Sequence, residues 1–421
     1  MSKNLLNTNI DTNTQQKGVT LLVIVAALGY FVDVFDLLLF GMVRVSSLRS
    51  LGVAETQLEA IGLRLDNWQM LGMLLGGIFW GILGDKRGRL SVLFGSIVTY
   101  SIANSLNAYV HTIPQYEILR FIAGFGLAGE LGAGVTLVNE SMNKEKRGIA
   151  TAFIAGFGVL GAVFGCLIVL WLKDWRTCYL IGGIMGFALL ILRISVYESG
   201  MYLTVKQKTS NLGNFFILLK DKKKLIRYIS IILLAIPIWY VVQLYAKYAP
   251  ELADALGLQY DDKKKVAIYA IMIIYLGLTI GDVSCGLISN YLESRKKAIL
   301  LYICVLSVFI IVFWWIGKIN MTFFYTMIFL LGIGIGYWAV FMSTAAESFG
   351  INIRSTVSNT APNFVRGAVI GINYLYITFK TNFHFSTQMA NLSVGVICIG
   401  IAIIAWTQIE ETYGKDLDYV E

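Results

Sequence analysis

The chain consists of about twelve apolar runs, each near the roughly 20 residues that one helical crossing of a bilayer requires, joined by short polar turns. Hydrocarbon offers no partner to a backbone N–H or C=O, so such runs are confined to helices that satisfy their own hydrogen bonds. They fall near 19–43, 62–83, 91–110, 114–138, 149–172, 177–197, 228–249, 266–289, 298–317, 322–345, 357–379 and 389–409. None shows the short alternating segments of a membrane strand. The expected fold is an all-α polytopic membrane protein with twelve transmembrane helices.

Composition agrees, with 57% hydrophobic and 14% charged residues and a mean hydropathy of +0.69. A net charge of +8 could point to nucleic acid, but the basic residues sit in the turns between apolar runs, where membrane orientation accounts for them. With both termini cytoplasmic, inward segments hold about 20 basic residues and outward ones about 11, as the positive-inside rule requires. Lys263 to Lys265, placed outside, are the exception.

The first residues, 1–18, are polar, lack the basic start and cleavage site of a secretory signal, and read as a disordered cytoplasmic tail. Residues 19–197 then form one group of six helices, 198–227 a basic cytoplasmic linker, 228–409 a second group of six, and 410–421 a cytoplasmic C-terminal tail. Cys166, Cys178, Cys285, Cys304 and Cys398 lie in or beside apolar runs without paired spacing and read as buried packing residues.

Between the second and third runs stands GILGDKRGR, from Gly81 to Arg89. Its glycines allow two helix ends to approach, and its charges hold the turn in water. GLISNYLESRKK, from Gly286, echoes it weakly about 205 residues later, with Asn290 in place of Asp85. A sharper echo joins Glu140 and Arg147 after the fourth run to Glu347 and Arg354 after the tenth, at the same spacing and an offset of about 207 residues. The chain therefore reads as a parallel duplication.

The G-x-L-x-D-K/R-x-G-R pattern of the first loop resembles the signature of the major facilitator superfamily of transporters. The acidic-then-Arg pairs and ESGMYL from Glu198 resemble further elements of that family, so the likeness covers nearly the whole chain. It implies two pseudo-symmetric six-helix bundles, and a cytoplasmic gate of Asp85, Arg89, Glu140, Arg147, Glu347 and Arg354 that closes and breaks as the halves rock. Topology set by positive charge is the plainer role for Lys86 and Arg87.

Ionisable groups within a bilayer are costly unless paired or facing water, which marks Asp33, Asp36, Arg120, Glu130, Arg193, Asp282 and Arg366. Asp33 and Asp36 are three residues apart and share a helical face with Gly29 and Phe40. FDLLLFG and RFIAGFGLAGE resemble motifs of proton-linked sugar and metabolite porters, in which the Arg pairs with the first-helix acid. That resemblance implies Asp36 paired with Arg120, with Asp33 and Glu130 as further proton-coupling candidates. A static ion pair that only fixes packing is the plainer alternative for the pair, and an interhelical hydrogen bond for Glu130.

Arg366 lies twelve residues beyond Arg354, about 18 Å deeper along the helix, which puts it near the midplane. With Asn363 and Asn373 on its face, its guanidinium could hold a carboxylate; satisfaction by neighbouring carbonyls is the alternative. Tyr240 and Gln243 share a face with Lys247 in the seventh run, and Tyr337 with Trp338 marks the tenth; these are further substrate-binding candidates. Asp282 reads equally as an ion site or an interbundle hydrogen bond.

His111 and His384 are the two histidines, both near helix ends, and no HExxH, nucleophile elbow or phosphate-binding loop is present. The expectation is neither an enzyme nor an ATP-driven pump, without metal or cofactor, the proton being the coupling ion. GVLGAVFG lacks the Gly-Pro element of the drug antiporters. The reading is a monomeric, proton-coupled symporter in a bacterial inner membrane, importing a small, carboxylate-bearing metabolite by alternating access. An exporter or uniporter of a larger molecule such as a siderophore or drug, and a non-transporting receptor, are the alternatives.

Overall fold

A computed structural model describes residues 3–87, 89–130, 132, 144–197 and 221–415. Among them the chain crosses the bilayer twelve times, and no strand occurs. The first six crossings are α1 (Lys3–Ser50), α2 (Leu58–Arg87), α3 (Arg89–Asn107), α4 (Ile113–Leu127), α5 (Lys144–Leu172) and α6 (Trp175–Tyr197). The seventh consists of α7 (Lys222–Leu234), α8 (Ile236–Val241), a π-helical turn (Val242–Lys247) and α9 (Ala249–Ala255). The eighth and ninth are α10 (Lys263–Tyr291) and α11 (Arg295–Ile316). The tenth joins α12 (Met321–Gly334) to α13 (Trp338–Glu347), the eleventh α14 (Ile351–Gly367) to α15 (Val369–Thr381), and α16 (Thr387–Gln408) is the twelfth.

Local chemistry sets many of these ends. A side-chain oxygen satisfies an otherwise orphaned N–H at the start of a helix. Thr112 does so for α4, Asp262 for α10, Ser294 for α11, Asn320 for α12 and Ser386 for α16. Proline has no N–H to give, and Pro237 stands where α7 gives way to α8. Gly334 ends α12 and Gly336 lies within the interruption before α13. The continuous spans expected at 228–249, 322–345 and 357–379 are therefore broken, and α4 gives way to a turn at Ala128 and Gly129, most of the rest of the span expected to 138 lying outside the described residues. The expected disordered tail is also corrected, since helix α1 runs on from Lys3, with its apolar stretch beginning at Val23.

The duplication is visible in backbone contacts. On α2, Gly72 and Gly76 lie against the carbonyls of Phe121 and Phe125 on α4, leaving no room for a Cβ. On α10, Gly277 and Gly281, each 205 residues on, lie in the same way against the carbonyls of Phe329 and Ile333 of the tenth span. The reverse contacts match too: Gly124 meets the Gln69 carbonyl, and Gly332 meets that of Ile274. Small residues are needed wherever two membrane helices approach to backbone distance, and both halves place them at equivalent positions.

Each half closes on itself, α1 along α5 and α3 along α6 in the first, α10 along α12 in the second. The seam between halves is formed by α2 on α14 and α5 on α10. Four of the five cysteines are buried as expected; Cys304 is exposed on α11 and is not a core residue.

Candidate functional site

A cavity lies on the seam, lined from the first half by Tyr30, Val34 and Leu37 of α1 and Val159 of α5. Trp239 of α8, Tyr275 of α10, Trp338 of α13 and Arg366 of α14 face it from the second half. Arg366 is 3% exposed, and its guanidinium carbon lies 5.7 Å from the ring centre of Trp239 and 5.9 Å from that of Trp338. A cation this close to two indole rings is stabilised by the ring quadrupoles. No ion pair or hydrogen bond to Arg366 occurs among the described residues, and its Nε is without a partner.

The other substrate candidates do not all gather there. Asn363 donates 2.8 Å to the Ala128 carbonyl, and Asn373 donates 2.7 Å to Asn67 Oδ1, so both tie the eleventh span to the first half. Tyr240 turns to the twelfth span, donating to Asn391 Oδ1 at 2.6 Å. Tyr337 donates to the Leu234 carbonyl at 3.1 Å, and Gln243 to Asp66 at 3.1 Å. Of the seven candidates, Arg366 and Trp338 line the cavity.

The acidic face of α1 is present as expected. Asp33 and Asp36 are buried, and none of their carboxylate oxygens has a hydrogen-bond partner among the described residues. The charges acting on Asp33 are those of Glu130, Arg366, Asp36 and Arg193, which puts it in electrostatic reach of the cavity cation. Asp36 is acted on by Arg120. The expected direct pair is not made: Arg120 donates instead to Gln69 Oε1, with Tyr179 at 3.5 Å and the Phe40 ring centre at 5.0 Å. Gln69 on α2 offers an oxygen that relieves the guanidinium without a second buried charge.

Glu130 is paired with Arg193 of α6, one bond of this pair being 3.0 Å. Gly29 makes room for the pair, because a Cβ there would strike both groups. Asp282 accepts from the Ala339 N–H at 3.0 Å, so it caps α13 within the second half rather than bridging the two halves.

At the end of the bundle opposite the termini, charged residues bridge the halves. Arg44 of α1 holds Glu251 of α9 at 2.8 and 2.9 Å and lies 4.1 Å from the ring centre of Tyr248. Asp66 of α2 pairs with Lys247 and also accepts from Gln243 and Tyr248, and Glu59 accepts from Tyr376 and Lys380 at 2.9 and 2.7 Å. From the sequence Gln243 and Lys247 stand out as sharing a helical face, but not their carboxylate partner. Asp66 carried the signal, a carboxylate within the expected second span. Lys263 also lies at this end, 2.9 Å from Asp254, on the side assigned to the exceptional lysine cluster.

At the termini end, Glu140 lies outside the described residues, as do the side chains of Asp85, Arg89, Arg147 and Arg354. Glu347 is described: it accepts from Arg295 at 3.4 Å and from Thr412 of the C-terminal segment at 2.9 Å.

Two six-helix halves with matched internal contacts, enclosing a seam cavity with unpaired buried charges, define a membrane transporter of the two-bundle kind. The family model "Major Facilitator Superfamily" matches residues 26–379, and the chain belongs to that superfamily of multi-pass membrane transporters, which are not enzymes. It is 33% identical over 208 residues to a Haemophilus influenzae protein named for metabolite transport, covering 47% of this chain and 50% of that one. It is 29% identical over 187 residues to a Bacillus subtilis protein named for niacin and nicotinamide transport (44% and 46% covered), and 27% identical over 194 residues to the benzoate transport protein of Acinetobacter baylyi (44% and 41%). These matches span half the length of those relatives or less. The crystal structure of a D-xylose-proton symporter is similar over 95% of this chain and 100% of its own, with a TM-score of 0.70 at 16% identity, a likeness of fold.

Proposed function

We propose that this protein imports small organic acids, flat aromatic carboxylates foremost, together with protons by alternating access, as a monomer in a bacterial inner membrane with both termini cytoplasmic. The observation that carries the reading is Arg366, a buried guanidinium without an ionic partner, framed by Trp239 and Trp338 in the seam cavity. A carboxylate can take two parallel hydrogen bonds from a guanidinium, and an attached ring would meet aromatic walls once the halves part, since the cavity as it stands, about 30 Å³, is water-sized. Relatives named for niacin and benzoate transport support this substrate class.

Coupling is assigned to Asp33 and Asp36, buried carboxylates without hydrogen-bond partners, with Arg120 and Glu130 as the charges that respond to them. A proton on Asp33 removes a negative charge that competes with substrate for Arg366, so proton and acid favour each other's binding. The excess of basic residues in the turns on the termini side supports a cytoplasmic placement of that side. The test is uptake of radiolabelled benzoate into proteoliposomes. Accumulation driven by an acidic exterior, abolished in Arg366→Ala, is the expected outcome; uptake indifferent to the pH gradient and to Arg366 defeats the proposal.

A further inference from the structure

Trp338, one wall of the cavity, is bracketed by two hydrogen bonds that tie the interruption of the tenth span to its neighbours. On one side the Tyr337 hydroxyl donates to the Leu234 carbonyl at 3.1 Å. That carbonyl lies at the break of the seventh span, where the Ile238 N–H turns to the Ala235 carbonyl instead. On the other side the Ala339 N–H donates to Asp282 Oδ1 of α10 at 3.0 Å. The residue at the start of α13, Tyr337, offers no side-chain cap of its own, so a carboxylate from another helix takes that place.

The eighth and tenth spans can supply this cap because their backbones touch beside it. Gly336 lies against the backbone of Gly281 and of Asp282 itself, where a Cβ would not fit. Asp282 is thus delivered to the first turn of a ten-residue helix, the end at which the helix dipole favours a negative charge. Trp239 follows the seventh-span break by a few residues on α8, so the same junction bears on both indoles that frame Arg366.

We infer that Asp282 and Tyr337 are positioning residues of the cavity, which pin the broken tenth span so that the Trp338 ring stands over Arg366. This rests on the proposed reading of that cavity as the substrate site. It gives an acidic residue within the membrane a part that needs neither proton nor ion traffic, and it makes two residues outside the cavity lining determinants of its affinity.

The experiment uses full-length purified protein and isolates the Trp338 emission as the difference between each protein and its Trp338→Phe counterpart. Asp282→Leu should increase acrylamide quenching of that signal and raise half-saturation by benzoate about fivefold, the effect of losing a cap, with the maximal rate nearly unchanged. Asp282→Asn keeps an oxygen acceptor and should restore both values. Tyr337→Phe should shift both in the direction of Asp282→Leu and carries the test if that variant does not fold. Unchanged Trp338 quenching in Asp282→Leu and Tyr337→Phe would overturn the inference, as would Asp282→Asn behaving like Asp282→Leu. Absence of benzoate binding to the parent protein would defeat the substrate reading instead, and the quenching comparison would still decide the positioning role.

Discussion

Lys247 of the seventh span and Asp66 of the second form an ion pair across the seam between the halves, with side chains 1% and 0% exposed. Such a pair holds only if the remaining polar atoms also find partners. Asp66 does so through the Gln243 amide and the Tyr248 hydroxyl, both within 3.1 Å. Arg44 and Glu251 make a second ion pair across the seam close by. The end of the bundle away from the termini is therefore held shut by charges that satisfy each other only while the halves meet.

Removing one member of this pair should cost more than removing both. Asp66→Leu strands an ammonium and Lys247→Leu strands a carboxylate, each at about 3–5 kcal/mol. The double variant should recover most of that loss. Thermal unfolding of the three proteins measures it, and a double variant no more stable than the singles would show that the pair is not coupled.

Arg366→Lys keeps the charge but loses the planar fork that stands beside Trp239 and Trp338. Stabilisation by benzoate, read as a rise in unfolding temperature with concentration, should need about tenfold more ligand. An unaltered concentration dependence would remove Arg366 from the binding site.

Asp36→Asn should abolish benzoate accumulation driven by a proton gradient while sparing exchange between labelled internal and unlabelled external substrate. Such a separation marks a residue that carries the coupling proton rather than the substrate. If accumulation persists in vesicles, the assignment to Asp36 is wrong.

Gly281→Val places a branched side chain against the carbonyl of Ile333, where backbone meets backbone. A loss of about 1–3 kcal/mol is expected from overpacking, and Gly76→Val should lose a similar amount at the equivalent contact of the other half. At Gly286, where a Cβ would meet open space, alanine should be nearly neutral. Unfolding temperatures of these variants would test the equivalence of the halves.

Outside the membrane, Glu411 ties the C-terminal segment to the start of α11. Burial alone would raise its carboxyl, but bonds from the Ser294 hydroxyl and from the N–H groups of Tyr413, Arg295 and Thr412 outweigh it and hold the group below the usual glutamate range. A lowered value means that the docked segment prefers the ionised form. Its contribution is complete above the ordinary glutamate pKa and is lost as pH falls through the lowered one. Protease cleavage after Lys415 should accelerate in that acidic window, and Glu411→Gln should weaken the pH dependence, leaving the part set by Glu410, which Lys415 bonds at 3.3 Å.

The twelve crossings and the repeat were legible because bilayer thickness fixes span length and because duplicated residues keep their spacing, as Glu140 with Arg147 and Glu347 with Arg354 do. Arg366 and Trp338 were legible as candidates from their depth in the membrane and aromatic character. The breaks at Leu234 and Ile335 were not, because hydropathy averages over a helix interruption whose freed groups are satisfied by Tyr337 and Asp282 from elsewhere in the chain. Nor was the choice of Arg120 for Gln69 over Asp36, or of Glu130 for Arg193. A spacing tells which face a residue shares, and which neighbouring helix fills that face is settled only by packing.

The glycine contacts of α2 on α4 and of α10 on α12 leave no side chain to act as a cushion, so neither seam has slack in which to slide. Between the halves it is side chains that make the close contacts: Asn363 against Gly77 and Leu74 against Gly367 where α2 meets α14, and the Cys166 thiol against the Ile268 carbonyl where α5 meets α10. Any rearrangement that uncovers Arg366 must therefore spare the first kind and run along the second. On the proposed alternating-access reading the halves should turn as two stiff blocks on a bearing of side chains, so a chemical cross-link across the bearing should stall transport while one within a block leaves it free.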